Sequence, residues 1–215
     1  MTANLGSGAG AANDRQAPAA TPRSAARPGR RRAGLTLPRI PFWYLRHGET
    51  DYNARGVSQG AIDIPLNDNG RAQAKAAATR LAGQGIVAIV CSPMLRTRET
   101  AAIVNEVLGL PITFEPGIRE VVFGGMEGKP FGSWFQDWFD GSSTHAGAES
   151  FAELSKRVGT ALETILALPG PVLIVAHGGV FRAIRNLMGI TREGITPNGL
   201  PLYCQPTPGG WQVVV

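Results

Sequence analysis

The chain has 215 residues, 43% of them hydrophobic, which suits one sizeable core and one globular domain rather than two. Its formal charge of +5 would suit a polyanion binder, but residues 1 to 41 hold seven arginines against the single Asp14, and the rest carries one more acidic than basic side chain. That removes the case for nucleic acid as a partner of the body, and no apolar run approaches the ~20 residues that span a bilayer, so no membrane partner is expected either.

Residues 1–38 are rich in Ala, Gly, Pro, Arg and Ser. They cannot bury enough surface to offset their conformational entropy, so a disordered basic tail is expected ahead of a domain over 39–215. A transit peptide, a twin-arginine signal at Arg30-Arg31-Arg32 and a start codon assigned too early are competing readings. Cys91 and Cys204 cannot build a disulfide framework, and a reducing, cytoplasmic setting is expected.

The stretch Phe42-Trp43-Tyr44-Leu45-Arg46-His47-Gly48-Glu49-Thr50 reads as a buried strand that stops at a working surface. A neutral imidazole at His47 is a nucleophile, Arg46 can hold a dianion against it, and Gly48 allows a sharp turn or a close approach. On spacing alone, Asn53 is a turn residue. Asn67 and Asp68 cap a helix from about Gly70 that stops near Gly83 or Gly85.

Ile86 to Cys91 is a continuous apolar run, as in a strand buried on both faces. Ser92-Pro93 supplies a cap and a first-turn proline for a helix from Met94 to Leu108, closed by Gly109. Arg96 and Arg98 fall in its first turn, where the dipole disfavours cations, so an anion or plain solvation explains them. Ile112 to Phe114 reads as a short strand. In Ile118 to Gly124, Glu120 is a candidate acid or, taken alone, a salt-bridge partner. Phe131 to Phe139 reads as an aromatic excursion over the site, followed by a loop in which His145 is exposed.

Glu149 to Leu168 carries Phe151, Leu154, Val158, Leu162, Ile165 and Leu166 at helical period. Val172 to Ala176 is a second fully apolar strand, ending in His177-Gly178-Gly179 before a helix over Val180 to Met188. Two strands that end in His-Gly put both imidazoles on one rim of a parallel sheet, with amides near Gly178 offered to an anion. A hairpin closes the chain. The expected fold is α/β, a three-layer sandwich with a mostly parallel central sheet and helices on both faces. The three histidines are far apart, no close-spaced ligands accompany them, and no nucleotide fingerprint appears, so neither metal nor cofactor is expected.

These motifs resemble the histidine phosphatase superfamily, the phosphoglycerate-mutase-like fold, over about residues 41 to 215. The resemblance rests on Leu45 to Thr50 with Asn53, Gln59-Gly60 with Asp63 to Leu66, and Ser92 to Thr97. It continues through Ile118 to Gly124, Gly147 to Ser150, and Val175 to Gly179. It implies His47 as the nucleophile that becomes phosphorylated, and Glu120 as the acid that protonates the leaving oxygen and later activates water. Arg46, Arg96 and His177 clamp the phosphoryl oxygens with help from Asn53 and Gly178, while Gln59 and Glu49 meet the substrate. Val57, Met126 and Ala148 stand where members often carry arginine, tryptophan and glycine, which bears on substrate identity.

The implied activity is metal-independent hydrolysis of a small phosphorylated metabolite. A phosphoglycerate mutase is the alternative, and a non-catalytic phospholigand-binding protein a third reading. Since His47 must be neutral and Glu120 protonated, activity is expected to fall on both sides of a pH optimum.

Overall fold

The apolar runs form the strands of one six-stranded sheet in the order β3-β2-β4-β1-β5-β6. These are β1 (Phe42–Arg46), β2 (Ala88–Cys91), β3 (Ile112–Phe114), β4 (Val172–Ala176), β5 (Pro201–Thr207) and β6 (Gly210–Val214). A computed structural model describes residues 37–190 and 194–215 of the chain. The four strands from β3 to β1 are parallel, and β5 is antiparallel both to β1 and to β6, with which it forms the closing hairpin. The tail expected over residues 1–38 lies outside the described residues except at its end, where Leu37 packs into the core.

Alternation along the strands makes two cores. Leu45, Ile89, Cys91, Leu173 and Val175 face α2 (Asp68–Leu81) and α3 (Leu95–Leu108). Phe42, Tyr44, Val90, Ile174 and Ala176 face α5 (Phe151–Ile165) and α6 (Gly178–Leu187). Helices therefore cover both faces of a mostly parallel sheet, as expected. β4, with all five residues buried, shows why its sequence is apolar without alternation.

Caps set the helix ends. Asn67 accepts from the Gly70 amide at the start of α2, and Ser150 and Glu153 form a capping box on α5. Gly109, left-handed at φ 63°, closes α3. A further capping box of Thr50 and Asn53 starts the short α1 (Asp51–Ala54), where the sequence suggested only a loop.

Two expectations change. Ser92 does not cap α3; its N-cap is Met94, and the Leu95 amide donates across the chain to Asp63 Oδ1 at 2.7 Å. The stretch Ile118 to Gly124, to which the sequence reading assigned no element, is an irregular segment between short 3-10 turns at Pro116–Ile118 and Gly124–Met126. The far end of the aromatic excursion is core. It forms α4 (Ser133–Asp140), whose Trp138 and Phe139 are buried and whose Trp138 indole donates to the Glu149 carbonyl at 2.7 Å.

From β1 the chain passes through α1 and α2 to β2, on the far side of β4. From β4 it passes through α6 to β5, on the far side of β1. The connections diverge between β1 and β4, so a crevice opens at their carboxyl ends.

Candidate active site

His47 and His177 end the two neighbouring central strands. Arg46 is in register with Ala176, and the His47 amide donates to the Ala176 carbonyl at 3.0 Å. The two rings lie 5.4 Å apart, and both residues are buried. Nδ1 of His47 is 2.7 Å from the Gly48 carbonyl oxygen. That oxygen can only accept, so Nδ1 carries the proton and Nε2 presents a lone pair. Burial, then the Arg96 and Arg46 cations, hold the His47 imidazole well below its usual 6.5. Burial and the same neighbours act alike on His177. Two neutral imidazoles follow at neutral pH.

Gly48 does not need a left-handed backbone. A Cβ there would sit 2.3 Å from the Gly70 carbonyl oxygen, and one at Gly70 would sit 2.0 Å from that of Glu49. The glycines let the start of α2 press directly on the segment after His47. Glu49 is part of this junction: its amide donates to Gln73 Oε1 at 2.9 Å, and its carboxylate accepts from Asn67 at 3.0 Å. These bonds tie Glu49 to the cap of α2.

Arg96 is fully buried, and donates to the carbonyls of Ile62 at 2.9 Å and Gly60 at 3.0 Å. Burial lowers its pKa to about 10, so it remains a cation. Arg46 donates to the Thr196 carbonyl at 2.6 Å. Arg98 takes no part; it is exposed and stacks on Phe114. Among the described residues, four buried polar atoms lack a hydrogen-bond partner: Nε of Arg46, Nε of Arg96, Nδ1 of His177 and Oε1 of Gln59. Each such group costs about 1–3 kcal/mol unless something meets it. Three of the four belong to potential donors around His47, which suits a ligand with several acceptor oxygens.

Asn53 Oδ1 accepts from the Thr50 amide at 3.2 Å, the Thr50 hydroxyl at 3.1 Å and Asn198 at 3.2 Å. Asn53, a turn residue by its spacing, thus serves in the capping box of α1, and these bonds leave its NH2 end uncommitted. Glu120 meets the start of α6: Oε2 accepts from the Gly179 amide at 3.1 Å, and a Cβ on Gly179 would come within 2.4 Å of Oε1. Gly178 lies against Arg46, whose Nε is 3.4 Å from where its Cβ would be. The structure therefore gathers Arg46, His47, Arg96, Glu120, His177 and Gly178 at one rim, with Asn53 and Gln59 beside them. His145 is half-buried, edge-on to Trp134 at 6.1 Å.

Several supporting residues escaped the sequence reading. The Ser92 hydroxyl lies 2.7 Å from His177 Nε2, freed for this because Asp63 meets the α3 amide. Tyr44 donates to the His177 carbonyl at 2.6 Å, and Asn198 donates to the His47 carbonyl at 2.9 Å. Arg157 forks onto Glu149 and also holds the carbonyls of Gly117 and Arg119, next to Glu120.

Comparison with known proteins agrees with this geometry. A sequence profile of the histidine phosphatase superfamily (branch 1) matches residues 42–204. "Probable phosphoglycerate mutase GpmB" of Serratia proteamaculans is 37% identical over 177 residues, covering 77% of this chain and 78% of its own. The protein of the same name from Yersinia enterocolitica is 37% identical over 152 residues, covering 65% and 70%. Among solved structures, a mycobacterial glucosyl-3-phosphoglycerate phosphatase in complex with VO3 matches with a TM-score of 0.72 at 26% identity, over 82% of this chain and 98% of that one. Bacillus stearothermophilus YhfR gives 0.71 at 26% identity, over 81% and 95%. With its two strand-end histidines and their arginines within the matched span, the chain belongs to the histidine phosphatase superfamily.

Proposed function

We propose that the protein is a metal-independent phosphatase that hydrolyses small phosphomonoesters through a phosphohistidine on His47. The observation that carries this reading is the His47 imidazole: neutral, with its proton held at Nδ1 by Gly48 and its Nε2 free to attack, beside buried donors that lack partners. In the first step Nε2 bonds to phosphorus as the P–O bond to the alcohol breaks, and protonated Glu120 gives its proton to the departing oxygen. Arg46, Arg96 and His177 hold the equatorial oxygens, where the charge is spread. In the second step Glu120 takes a proton from water, the resulting hydroxide oxygen bonds to phosphorus, and the bond to Nε2 breaks to release inorganic phosphate.

Phosphate release from sugar phosphates, phosphoglycerates, nucleotides and an aryl phosphate, with chelator present, tests the reading. Release is expected to resist chelation and to vanish in His47→Ala. Release that survives His47→Ala would overturn it. A mutase reading is favoured by the name of the curated relatives at 37% identity. Conversion of 3-phosphoglycerate to 2-phosphoglycerate without free phosphate would establish that reading instead.

A further inference from the structure

A third arginine stands at this rim. Arg182 lies on α6 three residues after Gly179, and helical side chains lean back over the preceding turn. Gly179 has no side chain to block that lean, and its amide is bonded to Glu120, whose charge acts on the Arg182 guanidinium. Its guanidinium carbon is 5.1 Å from the ring centre of Phe135 and 5.2 Å from that of Phe139. Two rings of α4 thereby fix the plane of the guanidinium. Arg182 is half-buried, and among the described residues no carboxylate lies within ion-pair distance of it. Burial and the nearby Arg185 lower its pKa, while Glu120 raises it.

A half-buried cation near Arg46 is disfavoured by desolvation and by like charge. Packing alone gives little reason for it, because an apolar side chain would join α4 to α6 without those costs. In the proposed reaction Arg46, Arg96 and His177 serve the phosphoryl group, whereas Glu120, whose charge reaches Arg182, serves the leaving oxygen. We propose that Arg182 is a specificity-determining residue that receives a second anionic group, a carboxylate or a second phosphate, on the alcohol side of the phosphate ester. This rests on the phosphatase reading and adds the class of alcohol that the site accepts.

The test compares kcat/KM of the wild type, Arg182→Lys and Arg182→Met on four esters. 3-Phosphoglycerate carries a carboxylate and fructose 1,6-bisphosphate a second phosphate; glycerol 3-phosphate and an aryl phosphate carry neither. Arg182→Met is expected to lose at least about tenfold on one or both anionic esters, chiefly in KM, and less than about threefold on the neutral ones. Arg182→Lys should recover part of the loss, and the anionic ester that responds identifies the group bound. An equal loss on all four esters, with a lowered Tm, would make Arg182 a latch between helices and overturn the proposal. Equal turnover of all four by every variant would overturn it too, while leaving the phosphatase reading intact. No turnover of any ester by the wild type would overturn both.

Discussion

His177 Nε2 and the Ser92 hydroxyl lie 2.7 Å apart, joining the ends of the adjacent strands β4 and β2. A hydroxyl can donate or accept, so it can hold His177 with its proton on Nδ1, the atom that lacks a partner. Ser92→Ala should therefore weaken the clamp without touching His47. The expected result is a fall in kcat of about tenfold and a stability cost of about 1–2 kcal/mol. Steady-state kinetics with an aryl phosphate and urea denaturation check both, and unchanged kcat would remove Ser92 from the machinery.

Stability should depend on pH through the two buried imidazoles. Both are held well below 6.5 in the folded chain, mainly by burial, whereas in the unfolded chain they titrate near that value. Below pH 6.5 the unfolded state thus binds more protons, and stability falls as pH falls. Denaturation midpoints are expected to decline from pH 6.5 to about 5.5, and less steeply in a His47→Asn, His177→Asn double variant. An equally steep decline in the double variant would assign the effect elsewhere. For the same reason kcat/KM, which reports the free enzyme, should not be halved by titration of His47 when the pH is lowered through 6.5.

Gly70 occupies the first turn of α2, where alanine would ordinarily stabilise a helix by up to about 1 kcal/mol. Here the added Cβ would collide with the Glu49 carbonyl, two residues from His47. Gly70→Ala is expected to destabilise by about 1–3 kcal/mol and to reduce activity, because only backbone can move to make room. A raised Tm would show that the junction is looser than its distances imply.

Arg157 meets Glu149 at 2.9 and 2.7 Å and the carbonyls of Gly117 and Arg119 at 2.9 and 3.0 Å. The next residue is Glu120, so this fork positions the proposed acid from behind. Arg157→Lys keeps the charge and loses the planar fork. It is expected to lower kcat about five- to tenfold with little change in KM, and to cost about 1–3 kcal/mol. A lower Tm with unchanged kcat would limit Arg157 to support of the fold.

The elements were legible where local pattern carries the physics. β1 and β4 read as buried strands because their residues are apolar throughout, and α2, α3 and α5 read as helices from period, cap and terminal glycine. The same local logic placed two His-Gly ends on one rim, since parallel strands must end on the same side. It failed where a group finds its partner far along the chain. Ser92 looks like a cap until Asp63 reaches Leu95, and Gly48 looks like a turn until Gly70 presses on it. Arg96 and Arg98 are alike as neighbours on one helix, yet one is buried against the 60–62 loop and the other stacks on Phe114. Backbone period and cap chemistry act within a few residues, so the sequence determined the strands, the helices and which candidate groups stand at their ends. Which hydrogen bonds fix their tautomers, and which cation faces the site, depend on partners dozens of residues away, and only the packing of the three layers decided them.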